Sequence, residues 1–106
     1  MTRTDPRNNA AWRRLTADLK RTTSNCHLCG LWIDPTRCGR TDPLAFTADH
    51  LIPLARGGEL LDPGNLAPAH RTCNSRRNDR PLTEAVYAEC RAAMRQPATA
   101  PASRAW

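Results

Sequence analysis

Hydrophobic residues near the start of the chain recur with the spacing of a helix. Between about residues 9 and 23, Trp12, Leu15 and Leu19 lie three and four positions apart, and basic residues fill much of the remainder. Side chains at this spacing share one face of an α-helix. The pattern predicts an amphipathic helix, within a segment 1–25, that packs this face on the domain and presents a basic side.

Two short apolar stretches in the middle of the chain predict strands. Residues 44–48 form a strand candidate that ends at Asp49 and His50, and a second short strand follows Asn65. Glycine and proline residues punctuate the loop between the strands, and a long loop in a small domain usually has a function. A helix is expected next, over residues 70–78.

The last part of the chain predicts one more helix and then a tail. The helix begins at Pro81, lies in a segment 81–95 and has Val86 and Cys90 on one face, where Cys90 is expected to be a buried apolar residue rather than a ligand. Residues 96–106 are rich in Pro, Ala, Thr and Ser and are expected to form a disordered tail.

The composition limits the class of protein. A chain of 106 residues fits one small domain, and its net charge of +6 favours a polyanionic partner such as nucleic acid. Fifteen of the sixteen basic residues are arginines, whose planar fork suits phosphate, although a GC-rich genome would produce the same bias. With no leader sequence and no long apolar run, we expect a soluble cytoplasmic protein with no membrane partner.

Two pairs of soft metal ligands stand far apart in the sequence. Each pair has two intervening residues, so both ligand atoms can lie on one side of a tight turn. Two such pairs complete the tetrahedron of a structural zinc, which would add folding energy to a small core. The four predicted ligands are Cys26, Cys29, His70 and Cys73. For the fourth position, His27 and Cys38 stay open as alternatives to His70.

A series of polar residues and glycines runs through the middle of the chain. Its members are Asp49, His50, Gly57, Gly58, Asn65, Asn74 and Asn78. Over about residues 26–80 this series, with the ligand pairs, resembles the HNH endonuclease family. Two positions depart from the family pattern, since a cysteine often stands where His70 is and a histidine where Asn74 is. Both replacements keep the chemistry, because imidazole ligates zinc and an amide oxygen ligates a hard metal.

The resemblance implies an α+β fold with a small ββα-metal (His-Me finger) core. Residues 26–80 would form this nuclease core, stapled by the zinc site, with one flanking helix on each side. The activity implied is that of a metal-dependent DNA endonuclease, which cleaves one or both strands.

The residue types in the series suit phosphodiester hydrolysis. A neutral His50 can act as general base and take a proton from water. Asp49 and Asn74 offer hard oxygen ligands for Mg²⁺ or Mn²⁺. By the resemblance, Asn65 bonds across the loop and fixes the backbone that orients His50. Asn78, one turn beyond Asn74, is a candidate for a further ligand or a phosphate contact.

Arginines cluster around the expected helix and loop of this core. We expect them to contact DNA phosphates, which position an enzyme without reading its target sequence. These arginines are Arg56, Arg71, Arg76, Arg77 and Arg80.

Other functions stay open at the level of sequence. The first alternative is a catalytically inactive zinc module that binds DNA or a protein, and the second is a nuclease or toxin that acts on RNA. Small proteins that resemble this chain occur in bacteria and phages, where they can work with the DNA-packaging terminase. The resemblance therefore extends to a terminase or another protein partner, but leaves the target, the metal and the oligomeric state undefined.

Overall fold

The structure, a computed structural model, describes residues 9–95 of the chain. It contains α1 (Ala10–Thr22), β1 (Phe46–His50), β2 (Leu66–His70), α2 (Arg71–Arg77) and α3 (Glu84–Arg95). Two short 3-10 helices, Leu54–Arg56 and Pro63–Asn65, lie in the loop between the strands. The expected tail, 96–106, lies outside the described residues.

The strands and the helix after them form one ββα unit. β1 and β2 pair antiparallel, with Phe46 opposite His70 and His50 opposite Leu66. α2 begins at Arg71, directly after β2, so its start lies beside the start of β1, where the Arg71 amide donates to the Ala45 carbonyl at 2.9 Å. The expected α+β class and ββα-metal fold are confirmed.

β1 lies two residues further along the chain than predicted. The residues before it form a turn, because the Asp42 side chain accepts a hydrogen bond from the Leu44 amide at 3.0 Å and its carbonyl accepts one from the Ala45 amide at 3.2 Å. The strand therefore includes Asp49 and His50, which are its two buried residues. Polar residues that follow a short apolar run give no sign in the sequence that the strand continues through them.

The core is small and rich in sulfur. Three of its cysteines are predicted zinc ligands, and α3 adds Val86 and the buried Cys90. The cluster consists of Cys26, Leu28, Cys29, Ile33, Ala69, Cys73, Val86 and Cys90. With so little aliphatic surface to bury, the hydrophobic effect alone gives this fold limited stability.

α1 forms where its sequence pattern predicts, and its apolar face is only half-buried. Asn9 caps the helix by accepting a hydrogen bond from the Trp12 amide at 2.8 Å. No residue of α1 is fully buried. The indole of Trp12 instead stacks on the imidazole of His50. The helix therefore contacts His50, the candidate catalytic residue, and contributes no fully buried side chain to the core.

α3 begins three residues later than predicted. Thr83 precedes it and accepts a hydrogen bond from the Val86 amide through its hydroxyl at 3.4 Å, as an N-cap residue does. Leu82 lies before the helix, yet it still packs against the core cluster. Cys90 is fully buried, as the apolar pattern predicted.

The loop between the strands depends on a glycine that leaves no room for a side chain. A Cβ atom on Gly58 would lie 1.8 Å from the carbonyl oxygen of Ile52 and 2.9 Å from Nδ2 of Asn65. Gly57, beside it, adopts a left-handed φ of 92°, which glycine tolerates best. The two glycines thus allow the loop to fold tightly over the end of β1.

We expect Gly58→Ala to destabilise the protein by roughly 1–3 kcal/mol, because the added methyl group overlaps backbone atoms. Chemical denaturation would measure this loss. Gly64→Ala is the matched control, since its Cβ would meet only the Asp62 carboxylate, at 3.3 Å. Equal stability of the two variants would contradict the tight packing of this loop.

Candidate functional site

Four soft donor atoms meet in the middle of the core. The ligand atoms of Cys26, Cys29, His70 and Cys73 all lie within 4.8 Å of one another, and all four residues are buried. The first pair lies on a turn closed by a hydrogen bond from the Gly30 amide to the Cys26 carbonyl at 2.9 Å. The second pair joins the end of β2 to the first turn of α2. The cluster therefore links segments that are distant in sequence.

The surroundings of the cluster suit a metal ion. Backbone amides of Leu28, Cys29 and His70 point at the Cys26 sulfur at 3.4–3.5 Å. His70 donates from Nε2 to the carbonyl of Trp32 at 3.0 Å, so Nδ1 is the nitrogen left to ligate. Nδ1 indeed lies 3.4 Å from the Cys29 sulfur.

The titration behaviour of the cluster reflects its crowded sulfurs. Side-chain hydrogen bonds with Cys29 and Cys73 lower the pKa of Cys26, while hydrogen bonds with Cys26 and Cys29, together with burial, raise the pKa of Cys73. Burial acts to lower the pKa of His70, but hydrogen bonds and charge from Cys26 and Cys29 outweigh it and raise this pKa to about 10. A buried group of thiols that favours thiolate at Cys26 is the donor set that zinc requires.

The open alternatives for the fourth ligand resolve in favour of His70. His27 points away from the sulfurs and donates from Nε2 to Oδ2 of Asp49 at 2.7 Å. Cys38 is exposed and lies outside the cluster. Within residues 9–95, the residues that could hold the structural zinc are therefore those that the sequence spacing predicted.

A polar cleft of about 360 Å³ is lined in part by Asn74, which follows Cys73 of the cluster. Its walls come from β1, from the loop after it and from α2. Asp49, His50, Asn74 and Asn78 all border this cleft, so the structure brings together the residues that the sequence assigned to chemistry.

The imidazole of His50 is held on two sides. Its Nε2 lies 3.2 Å from the carbonyl oxygen of Leu60, and since a carbonyl only accepts, Nε2 must carry the proton. Nδ1 is then the basic nitrogen of the ring. The indole of Trp12 stacks on the same ring with centroids 5.4 Å apart and planes 17° apart. These contacts fix the orientation of a group that could accept a proton.

Asn65 bonds across the loop to backbone atoms. Its Oδ1 accepts from the Ile52 amide at 2.8 Å, and its Nδ2 donates to the carbonyls of Ile52 and Glu59 at 3.1 and 3.0 Å. Glu59 precedes Leu60, whose carbonyl holds His50. Asn65 is buried and outside the residues that line the cleft, so its place is that of a support for the loop rather than a substrate contact.

In each of the two predicted metal ligands, one polar side-chain atom is hydrogen-bonded within the protein and one oxygen is left to bind a metal ion. Asn74 donates from Nδ2 to the Thr47 hydroxyl at 3.2 Å, which leaves its Oδ1 as the hard donor. Asp49 uses Oδ2 for hydrogen bonds and has Oδ1 as its other donor. A carboxylate and an amide oxygen at one polar cleft fit Mg²⁺ or Mn²⁺. Asn78, with a left-handed φ of 57°, borders the same cleft.

Arg77 was predicted to contact DNA, and this prediction is wrong. Its side chain is fully buried, with zero exposure. The guanidinium donates to Asp49 and to three backbone carbonyls, so no phosphate can reach it. In the sequence, a basic residue within a basic segment carries no sign that it is buried.

The other arginines differ in how freely they can meet a phosphate. Arg80 donates to both carboxylate oxygens of Glu89, at 3.1 and 3.2 Å, and thus ties α2 to α3. Arg56 is exposed and donates from Nε to the Asp79 carbonyl at 2.9 Å. Arg71 borders the cleft, and its buried Nε has no hydrogen-bond partner.

Sequence patterns missed three contacts at this site. His27 and Arg77 both bind Asp49, and Trp12 covers His50. The position of His27 between Cys26 and Cys29 indicates that it lies near the cluster. The direction of its side chain depends on the conformation of the turn, which the sequence does not show. Trp12 was assigned correctly to the inward face of its helix, but only the packing shows what that face meets.

Comparison with known families agrees with the geometry. Residues 36–80 match the model of the HNH endonuclease family. This segment of the chain is similar to an HNH endonuclease domain. The match includes β1, β2 and α2 and begins after the first ligand pair. Searches of curated proteins and of solved structures found no match.

The similarity to HNH endonucleases suggests nuclease activity and an interaction with DNA. Among the described residues, no helix is long and apolar enough to cross a membrane.

We expect the purified protein to contain about one zinc ion per chain and Cys29→Ser to lose it. Loss of the ion should lower the melting temperature by more than about 10 °C, because binding of a structural zinc contributes directly to folding. Metal analysis and thermal denaturation would measure both effects. Cys38→Ser is the control and should keep the zinc, since Cys38 is exposed and outside the cluster. A wild-type protein without zinc would exclude the cluster as a metal site.

Proposed function

We propose that this protein is a metal-dependent DNA endonuclease that hydrolyses phosphodiester bonds. The observation that carries the proposal is the convergence of Asp49, His50 and Asn74 on one polar cleft within an HNH domain. By analogy with the family, the products would carry 5′-phosphate and 3′-hydroxyl ends. One ββα unit has one such cleft, so a single chain would nick one strand.

His50 would serve as the general base. Its Nε2 proton is held by the Leu60 carbonyl, which leaves Nδ1 to accept a proton from the attacking water. The stack with Trp12 and the loop pinned by Asn65 restrict rotation of the ring. Holding a base in one orientation lowers the entropic cost of reaching the transition state.

Asp49 and Asn74 would hold the divalent ion, which is Mg²⁺ or Mn²⁺. When bound, the ion would neutralise charge on the scissile phosphate and on the leaving oxygen. The oxygens of these residues are the hard donors that such ions prefer. The cleft of about 360 Å³ is open to the surface, and it is lined on one side by Arg71, which can pair with a phosphate of the substrate.

The net charge supports a nucleic acid as substrate. The chain carries an excess of six positive charges, and exposed basic residues lie on α1 and α2 near the cleft. With Arg77 buried and Arg80 paired with Glu89, the arginines best able to contact phosphate are Arg56, Arg71 and Arg76. A role beside a phage DNA-packaging terminase, and a cytoplasmic location, stay predictions of the sequence resemblance.

The competing function is that of an inactive zinc module that binds DNA or a protein. Such a module would keep the zinc cluster and the basic surface. Binding alone does not require an oriented His50 imidazole or two hard oxygen donors at the same cleft. The endonuclease is therefore the better-supported function.

We expect the protein to nick supercoiled plasmid when Mg²⁺ or Mn²⁺ is added, and His50→Ala to reduce the rate at least about 100-fold, the usual contribution of a general base. Omitting the divalent ion is the preferred negative control, because chelators also remove zinc. The variant should retain its zinc content and melting behaviour. Equal nicking by the two proteins would rule out His50 as the base, and no nicking by either would favour the inactive module. A labelled RNA tested in parallel would reveal a preference for RNA.

Arg71→Gln and Arg76→Gln should each weaken DNA binding and reduce the dependence of log affinity on log salt by about one unit, as expected for one lost phosphate contact. Fluorescence anisotropy at several salt concentrations, with every variant built on His50→Ala, would measure this without cleavage. Arg91→Gln on α3 is the matched control, because α3 does not border the cleft. An equal effect of all three changes would mean that binding reflects net charge alone.

A further inference from the structure

Asp49 receives two hydrogen bonds on the same carboxylate oxygen. Nε2 of His27 lies 2.7 Å from its Oδ2, and an Nη atom of Arg77 lies 2.8 Å from that same atom. The side chains of Asp49 and Arg77 are 5% and 0% exposed. Two donors that converge on one buried oxygen fix the orientation of the whole carboxylate.

Arg77 also holds the backbone on which the catalytic residues stand. It donates to the carbonyls of His50 and Leu51 at 2.7 and 2.9 Å, and from Nε to that of Arg80 at 2.7 Å. A buried guanidinium is costly unless its donors are paired, and these bonds, with that to Asp49, pair four of its five N–H groups. One side chain thus connects Asp49 with the chain segment that follows it.

His27 connects the same carboxylate with the zinc cluster. It stands between Cys26 and Cys29, and its amide donates to the Pro68 carbonyl at 2.8 Å. Its ring meets Tyr87 edge to face, with centroids 6.4 Å apart. The turn that carries two zinc ligands therefore also aims the imidazole at Asp49.

We propose that His27 and Arg77 are positioning residues that hold Oδ2 of Asp49 so that Oδ1 alone serves the divalent ion at the cleft. The inference rests on the proposed function, because it takes Asp49 as a ligand of that ion. It adds a physical link between the two metal sites. Asn74 follows the zinc ligand Cys73, and His27 follows the zinc ligand Cys26, so the zinc cluster sets the position of both hard ligands.

Binding of Mn²⁺ to the zinc-loaded full chain, measured by calorimetry without DNA, tests the inference apart from catalysis. His27→Phe keeps an aromatic ring against Tyr87 but removes the donor, and we expect Mn²⁺ affinity to fall about 10–100-fold. His27→Gln restores a donor and should recover most of the affinity. Zinc content and melting temperature should stay near the wild-type values in both variants, since His27 is not a zinc ligand.

Arg77→Lys provides a second route if changes at His27 disturb the turn. Lysine keeps the charge but cannot make the four directed bonds of the guanidinium, so Mn²⁺ affinity should again fall. Unchanged Mn²⁺ affinity in folded, zinc-loaded His27→Phe or Arg77→Lys would overturn the inference. Such a result would leave the nuclease proposal intact, because nicking that depends on His50 tests that proposal separately. Conversely, weakened Mn²⁺ binding in a protein that never nicks DNA would support the positioning role and reject the nuclease.

Discussion

The crowding of three cysteine sulfurs and one imidazole into the core is the constraint on which the structure depends. Donor atoms within 4.8 Å of one another, all buried, compete for protons unless a cation satisfies them. The same cysteines make up three of the eight residues in the core cluster. In a chain with so little other apolar surface, a metal ion bound by this cluster would contribute directly to folding, because the cluster links the turn before β1 to the end of β2 and the start of α2.

The cleft is built outward from that cluster in two directions. From Cys73 the chain continues into Asn74, and from Cys26 it continues into His27, which reaches Asp49. The loop with Asn65 supplies a third support, which acts on His50 through the Leu60 carbonyl rather than through the metal. Asp49, His50 and Asn74 are therefore each held by contacts with neighbouring residues, as expected where chemistry needs fixed geometry.

Short sequence patterns predicted the features of the fold that depend on interactions between residues close together in the chain. Helical spacing located α1, and the two ligand pairs located the buried cluster, because turns and periodicity are encoded within a few residues. The strand that carries Asp49 was displaced, because the turn at Asp42 competes with extended backbone. The environment of Arg77 was beyond such patterns: an arginine between other arginines reads as surface, and only the three-dimensional meeting with Asp49 buries it.

The stack between Trp12 and His50 has a consequence for how this chain can vary. α1 lies outside the segment that matches the family, and it contributes no buried residue to the core. Along this helix Leu15 and Leu19 are half-buried, while Arg13 and Arg14 are exposed. Position 12 differs from these, because the indole of Trp12 stacks on the imidazole of His50. Under the proposed function, selection for the reaction would act on the first helix chiefly at position 12, the position that contacts the proposed base.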